Sequence, residues 1–386
     1  MPPLPRRLPK SYDLEHGWFH LLLSALDRTE SLPRLLLLCT IAFYDLVALR
    51  WTGVAATFVL GLTQLVDWLT LMQLPRLRIS FGPQRIEWLS LSALRLVGAL
   101  ALSAILPRTW RRVRGGLLIA IQLVGSLLVI RAFILEPRAI RLSHLKLVRD
   151  DEPPKGVTVL HVADVHVERL SRREEQVLRI TRALKPDLIL FSGDLVNLSY
   201  VRDETARQHA RALWRALSED APVFAVSGSP PVDSAAVSAA VLGGLPVCWL
   251  RDDTRCIELR GIRVQVVGVN CTHDPGSDGQ RLRALMARCE SADITILLYH
   301  WPDLAPQAAA LGSIDLQLSG HTHGGQIRAP WFGAMLTGSL YGKQLESGLY
   351  RLREMLLYVS PGIGFEGLAA PRARLFCRPE MTVIHL

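Results

Sequence analysis

Four long apolar stretches fill most of the first 135 residues, and they limit what this chain can fold into more than any other feature. They run from Leu35 to Leu49, Gly53 to Leu74, Leu89 to Leu106 and Gly115 to Leu135. A helix that crosses hydrocarbon needs about 20 residues. The fourth stretch, GLLIAIQLVGSLLVIRAFIL, is the clearest span. The first is short and carries Asp45, which fits a half-inserted or tilted helix. A soluble bundle would show polar faces every three to four residues, and these runs mostly do not. Asp45, Asp67, Arg95 and Arg131 lie within or near the spans. Ionisable groups are costly there, so pairing between helices is expected, with a transport pathway as the alternative. Upstream, residues 14–26 (LEHGWFHLLLSAL) predict an amphipathic helix lying in the interface. No small-residue cleavage site follows a basic start, so this is not read as a signal peptide.

The charge is divided unevenly. Residues 1–150 hold 19 basic and 9 acidic side chains, whereas residues 151–386 hold 25 and 26. The excess sits in the apolar half, as arginine-rich loops between Leu-rich runs. That pattern suits a membrane protein facing anionic lipid and speaks against a nucleic-acid tail. If all four stretches span, the N-terminus, the 75–88 loop and the 136–150 segment share one side with twelve basic residues, against five on the other. The positive-inside rule then puts the C-terminal half in the cytoplasm of a multi-pass cell-membrane protein. With 49% hydrophobic and 20% charged residues, the chain is not disordered. Six cysteines without a CxxC pair exclude a disulfide scaffold and mildly favour a reducing compartment.

From about Pro153 the pattern changes. GVTVLHVADVH, DLILFSGDL, PVFAVSGS, ITILLYH and DLQLSGHTHGG are short apolar strands with polar ends, and a helical stretch from Arg172 to Leu184 separates the first two. Strands alternating with helices predict an α/β domain over 151–386, after a membrane domain over 1–150. In such domains, chemistry collects at the carboxyl ends of strands. Those ends carry Asp164, His166, Asp194, His300, His321 and His323. Carboxylates and imidazoles are ligands for Zn, Mn or Fe rather than Ca. Asp164 and His166 are two apart, as are His321 and His323, so on an extended strand each pair would face one side.

In order, HVADVH, FSGDLV, LLYH and SGHTHGG resemble the motif set of the calcineurin-like metallophosphoesterases, DxH, GD, GNH[DE], H and GHxH, over roughly residues 155–386. The ending VSPGIGFEGLAAPRARLFCRPEMTVIHL is similar to the tail of the family's membrane-associated bacterial branch. The resemblance implies two packed β-sheets flanked by helices and two divalent cations (Mn, Fe or Zn). Asp164, His166, Asp194 and His323 would hold the first cation. Asp194 would bridge to the second, completed by His300 and His321; Asp194, His300 and His321 would also serve catalysis. The implied chemistry is attack on phosphorus by a metal-activated water.

One motif departs from the family. Where GNHD belongs, the chain reads Gly228-Ser229-Pro230-Pro231. A serine hydroxyl is a weaker ligand than an amide oxygen, and proline offers no side-chain donor, so the second site is expected to be weak or empty. Asp233 is close enough along the loop to stand in as a ligand. Thr272-His273-Asp274-Pro275 resembles a displaced Asn-His-Asp, but it follows a different strand and is read as a loop; Cys271 beside it lacks the orienting framework of a thiol nucleophile. The sequon at Asn197 carries little weight on a cytoplasmic side. His161 should point to the opposite strand face from Asp164, Gly320, Gly324 and Gly325 should let the backbone bend around a metal, and Gln326 is a candidate substrate contact. The expectation is a membrane-anchored phosphoesterase for a phosphomonoester or phosphodiester, with membrane lipids as partners and no nucleic acid. The alternative is a catalytically degenerate metal-binding sensor or scaffold.

Overall fold

The structure, a computed structural model, describes residues 18–107, 109–147 and 156–386, with only the backbone described at 18–20 and 111. The chain divides into two compact units. One is helical, residues 18–135 joined by 368–373; the other is α/β, residues 136–367 and 374–386. The division therefore falls at Leu135–Glu136 rather than at 150, because a strand at Arg141–Lys146 already belongs to the α/β sheet.

The helical unit contains α1 (Trp18–Asp27), α2 (Arg34–Thr52), α3 (Val54–Gln73), α4 (Gln84–Ile105) and α5 (Arg111–Ile130). Four of its helices are long and apolar enough to cross a membrane by length and composition. The first stretch is no exception: α2 reaches 19 residues. Of the proposed interfacial helix, α1 covers the part from Trp18 onward; residues 14–17 lie outside the described residues. The four helices pack through small side chains, with Ala48 against Leu60 and Leu96, and Ala56 against Ala99 and Leu118. The expected pairing is present: Arg95 Nε and Nη2 reach Asp67 Oδ2 and Oδ1 at 2.6 and 2.8 Å. The start of α4, where backbone N–H groups lack helical partners, is capped from afar. The Glu30 carboxylate accepts from the amides of Gln84, Arg85 and Ile86 at 3.0, 2.9 and 3.2 Å.

The α/β unit holds two six-stranded mixed sheets. The first contains β1 (Arg141–Lys146), β2 (Thr158–Val162), β3 (Leu188–Phe191), β4 (Val223–Ala225), β5 (Val247–Trp249) and β14 (Glu380–His385), in the order β1-β14-β2-β3-β4-β5. The second contains β6 (Asp253–Leu259), β7 (Ile262–Gly268), β8 (Ile294–Leu298), β9 (Leu316–Ser319), β12 (Gly348–Leu352) and β13 (Met355–Val359), in the order β12-β13-β9-β8-β7-β6. A small hairpin, β10 (Arg328–Ala329) and β11 (Gly333–Ala334), stands apart.

The strands are apolar at successive positions because both faces are covered. In β3, Leu188 and Leu190 join Val264, Val266, Ile296, Leu298, Leu316 and Leu318 in the core between the sheets. Ile189 and Phe191 point the other way, into the layer with Leu213, Trp214 and Leu217 of helix α7 (Glu204–Asp220). Strands β2, β3, β4 and β5 run parallel in one sheet; β7, β8, β9 and β13 do so in the other. Each set therefore presents its carboxyl ends together, and the loops after them carry the candidate residues.

Candidate metal centre

Asp164 and His166 do not lie on an extended strand. β2 ends at Val162, and both residues adopt left-handed backbone, φ 47° and 46°. Asp194, His321 and His323 do the same, with φ of 66°, 69° and 49°. Non-glycine residues pay for this conformation, and such strain collects at functional sites. It has a geometric use here: a left-handed turn reverses each loop sharply, and side chains from separate loops converge. The loops are stitched together beyond the strands, with the Asp164 and His166 amides donating to the carbonyls of Gly193 and Asp194 at 3.0 and 3.1 Å. Glycine is needed where the loops touch side chains: a Cβ on Gly320 would lie 2.0 Å from Asp164 Oδ2, and one on Gly228 would lie 2.1 Å from Asp194 Oδ1.

All six residues meet in this space. Asp164, His166, Asp194 and His323 are buried, and one ligand atom from each lies within 4.8 Å of the others. His166 Nε2 and His323 Nε2 are 3.0 Å apart. Asp194 Oδ2 faces two imidazoles at once, His166 Nε2 at 3.2 Å and His300 Nε2 at 3.3 Å. His300 Nε2 is in turn 3.2 Å from His321 Nδ1. His300 Nδ1 lies 2.9 Å from the Ser192 carbonyl, which can only accept, so this nitrogen carries a proton and Nε2 is the ring nitrogen turned to the site.

These residues fit divalent cations. Asp164 Oδ2 is buried and has no hydrogen-bond partner among the described residues, a costly state for a carboxylate oxygen unless a cation compensates it. The electrostatics agree. Burial would raise the Asp194 carboxyl, but His300 and His166 outweigh it and hold it well below the carboxylate range. Burial drives His321 and His323 well below the usual imidazole value, which leaves them neutral and able to bind a metal. Burial also lifts Asp164, to about 6, against the pull of His300. His166 and His300 are the exceptions: burial lowers both, yet Asp194 raises them, His300 to about 9, so a cation must displace a proton from each.

The divergent Gly228–Pro231 loop lies at the His300 side. Ser229 Oγ is 3.1 Å from His300 Nε2 and 3.2 Å from His321 Nδ1, and the Ser229 amide donates to Asp194 Oδ1 at 2.8 Å. The serine thus occupies a ligand position with a short, neutral hydroxyl. Asp233 is not a substitute ligand. Its carboxylate accepts from the amides of Asp194, Leu195 and Gly228 at 2.8, 2.9 and 2.8 Å, clamping the loops after β3 and β4 to each other. Burial and the nearby Asp194 charge raise it to about 7. Gln326 Oε1 accepts the Glu366 amide at 2.9 Å and holds the loop instead of facing outward. His161 is buried against Ser192 Oγ at 2.9 Å, and burial pushes the Cys271 thiol far up, which removes it as a nucleophile.

Three participants were not legible in the sequence. Arg374 is fully buried beside His323: its guanidinium donates to the carbonyls of His323, Pro361 and Gly364 and lies 3.4 Å from His323 Nδ1. Glu366 Oε2 lies 3.8 Å from His323 Nε2 at the rim. The third is His273, expected to be idle. Its ring centroid is 5.0 Å from that of His321 and 5.1 Å from that of Trp301. The signal available was the strand before it, VQVVGV, which ends at the same edge as β8 and β9.

The α/β sandwich thus carries at its strand ends a buried Asp/His cluster that could hold a metal ion. Residues 157–229 match the calcineurin-like phosphoesterase family. The uncharacterised metallophosphoesterase YkuE of Bacillus subtilis is 28% identical over 60% of this chain and 79% of its own. The phosphodiesterase YaeI of Escherichia coli is 28% identical over 63% of this chain and 86% of its own. A bovine transmembrane protein with a metallophosphoesterase domain is 27% identical over 65% of this chain and 57% of its own. Over these stretches the chain is similar to the calcineurin-like metallophosphoesterases.

Proposed function

We propose that this protein is a membrane-anchored, metal-dependent phosphoesterase, attenuated at its second cation site. The observation that carries the reading is Asp194 Oδ2 facing both His166 Nε2 and His300 Nε2, so that one carboxylate oxygen serves two ligand sets. Asp164, His166, Asp194 and His323 would hold one cation; Asp194, His300 and His321, with Ser229, would hold another. Such cations supply charge neutralisation for a phosphate and a water of lowered pKa. The chain's own contribution is rigidity: the Asp233 clamp, the Ser192 carbonyl on His300 and the His321 amide on Asp164 Oδ1 at 2.8 Å fix the donors before substrate arrives. YaeI is named a phosphodiesterase, which favours a diester here. A lipid-linked phosphoester is favoured by the membrane-length helices and by the exposed Trp331, Phe332, Met335 and Leu336 around the β10–β11 hairpin.

The test is metal content per chain of the purified protein, together with hydrolysis of a generic phosphodiester in added Mn. One firmly held metal, a second that fills only in excess Mn, and slow turnover are expected; no turnover at full occupancy would leave the sensor or scaffold reading, which the Gly228–Pro231 loop favours. Restoring that loop should also raise the rate. Ser229→Asn returns an amide oxygen between His300 and His321, and Pro230→His returns an imidazole. Together they are expected to give about 10²-fold, the usual worth of an added acid–base group. A folded double variant with two metals and the parental rate would count against attenuation as the cause.

The α/β unit is proposed to be cytoplasmic. Four spans leave both ends on one side, and the arginine count puts that side inside. An alkaline phosphatase reporter fused after Leu386, which works only when exported, should be inactive. Activity there would reverse the orientation.

A further inference from the structure

The loop that carries His273 is held far more firmly than a surface connection requires. The buried Asp278 carboxylate accepts from the Thr272 amide at 2.9 Å, from Thr272 Oγ1 and Tyr299 Oη at 2.5 Å each, and from Arg281. On its other side, Asp252 accepts from the Asn270 amide at 2.9 Å and side chain at 3.1 Å. Asp274 caps helix α9 (Pro275–Met286; α8 is Ala235–Leu242), its carboxylate accepting from the Gly276 amide at 2.9 Å. Between these anchors His273 takes a left-handed φ of 58°. The result is an imidazole set against the His321 ring with its Nε2 buried and without a hydrogen-bond partner among the described residues. A buried nitrogen left bare by a strained, well-anchored loop needs an explanation.

We propose that His273 is a substrate-binding residue that donates a hydrogen bond to a phosphoryl oxygen, supplying from the β7 loop the imidazole that Pro230 cannot. The proposal rests on the phosphoesterase reading above. His273 is not among the four residues whose ligand atoms cluster. Its neighbours are the rings of His321 and Trp301, which places it beside the weaker, His300 side of the centre. An imidazole carries at least one ring N–H that it can give to an anion. This differs from an added metal ligand, which would offer a lone pair.

The test uses the full-length protein loaded with Mn and inorganic phosphate as the probe, read by calorimetry and by metal analysis. His273→Ala should keep the parental metal content and lose about tenfold to hundredfold in phosphate affinity, the worth of one hydrogen bond to a charged partner. His273→Gln, which retains an N–H donor, should recover part of that affinity and guards against a loop that merely collapses. Parental phosphate affinity in His273→Ala would overturn the proposal. So would metal loss equal to that of His300→Ala, which would make His273 a ligand. A parent that binds metal but no phosphate would instead defeat the phosphoesterase reading itself, and this proposal with it.

Discussion

Asp194→Asn is expected to strip the protein of nearly all its bound metal, whereas His300→Ala should remove only part of it. The carboxylate oxygen Oδ2 faces His166 on one side and His300 on the other. The amide keeps an oxygen that can still accept from the Ser229 backbone, so the loop should hold. What changes is the atom between the imidazoles, from an anionic acceptor to an N–H donor that will hydrogen-bond to them and close the space a cation needs. Metal chemistry at such sites is worth several kcal/mol of transition-state stabilisation, so phosphodiester hydrolysis should fall by about 10³-fold or more. His300→Ala leaves Asp164, His166, Asp194 and His323 intact and should retain the metal they hold. Elemental analysis of both purified variants decides the matter. Equal metal loss would mean that Asp194 does not serve both sets.

The contrast between what could and could not be read from the chain has a physical cause. The spans, the strand pattern and the six ligand candidates were legible because each depends on composition and short-range period: apolar runs of membrane length, and apolar strands ending in Asp or His. The geometry at those ends was not. An i, i+2 spacing suggested extended strands for Asp164 and His166, but the chain leaves β2 two residues earlier and turns through left-handed backbone. Spacing alone cannot distinguish these, since both bring the pair to one side. The role of Asp233 stayed open in the sequence for a related reason. A carboxylate near a metal motif reads as a ligand, and only the fold shows three backbone amides waiting for it. The contacts of His273 and Arg374 could not be read because their partners are distant in sequence, 48 residues away for His321 and 51 for His323. Such contacts depend on which strand ends the topology brings to one edge.

Breaking the ion pair inside the helical unit should be the most damaging single change outside the centre. Arg95 on α4 binds Asp67 on α3 through two nearly parallel hydrogen bonds, and its remaining N–H groups reach the Gln122 carbonyl at 2.8 Å and Ser126 Oγ at 3.0 Å on α5. Three helices are thus joined through one guanidinium. Close approach is built in: a Cβ on Gly125 would sit 2.9 Å from Arg95 Nη1. Arg95→Leu removes the cation and leaves Asp67, itself 1% exposed, without its partner. A buried charge stranded in this way costs about 3–5 kcal/mol, and more than the pair itself contributes, because forming the pair already required removing both charges from water. The double variant Asp67→Leu/Arg95→Leu strands nothing and should be markedly more stable than Arg95→Leu alone. Unfolding free energies in detergent for the parent, both single variants and the double variant form the required cycle. If the double variant costs the sum of the two singles, the charges do not act as a pair, and the link between the three helices has to come from packing alone.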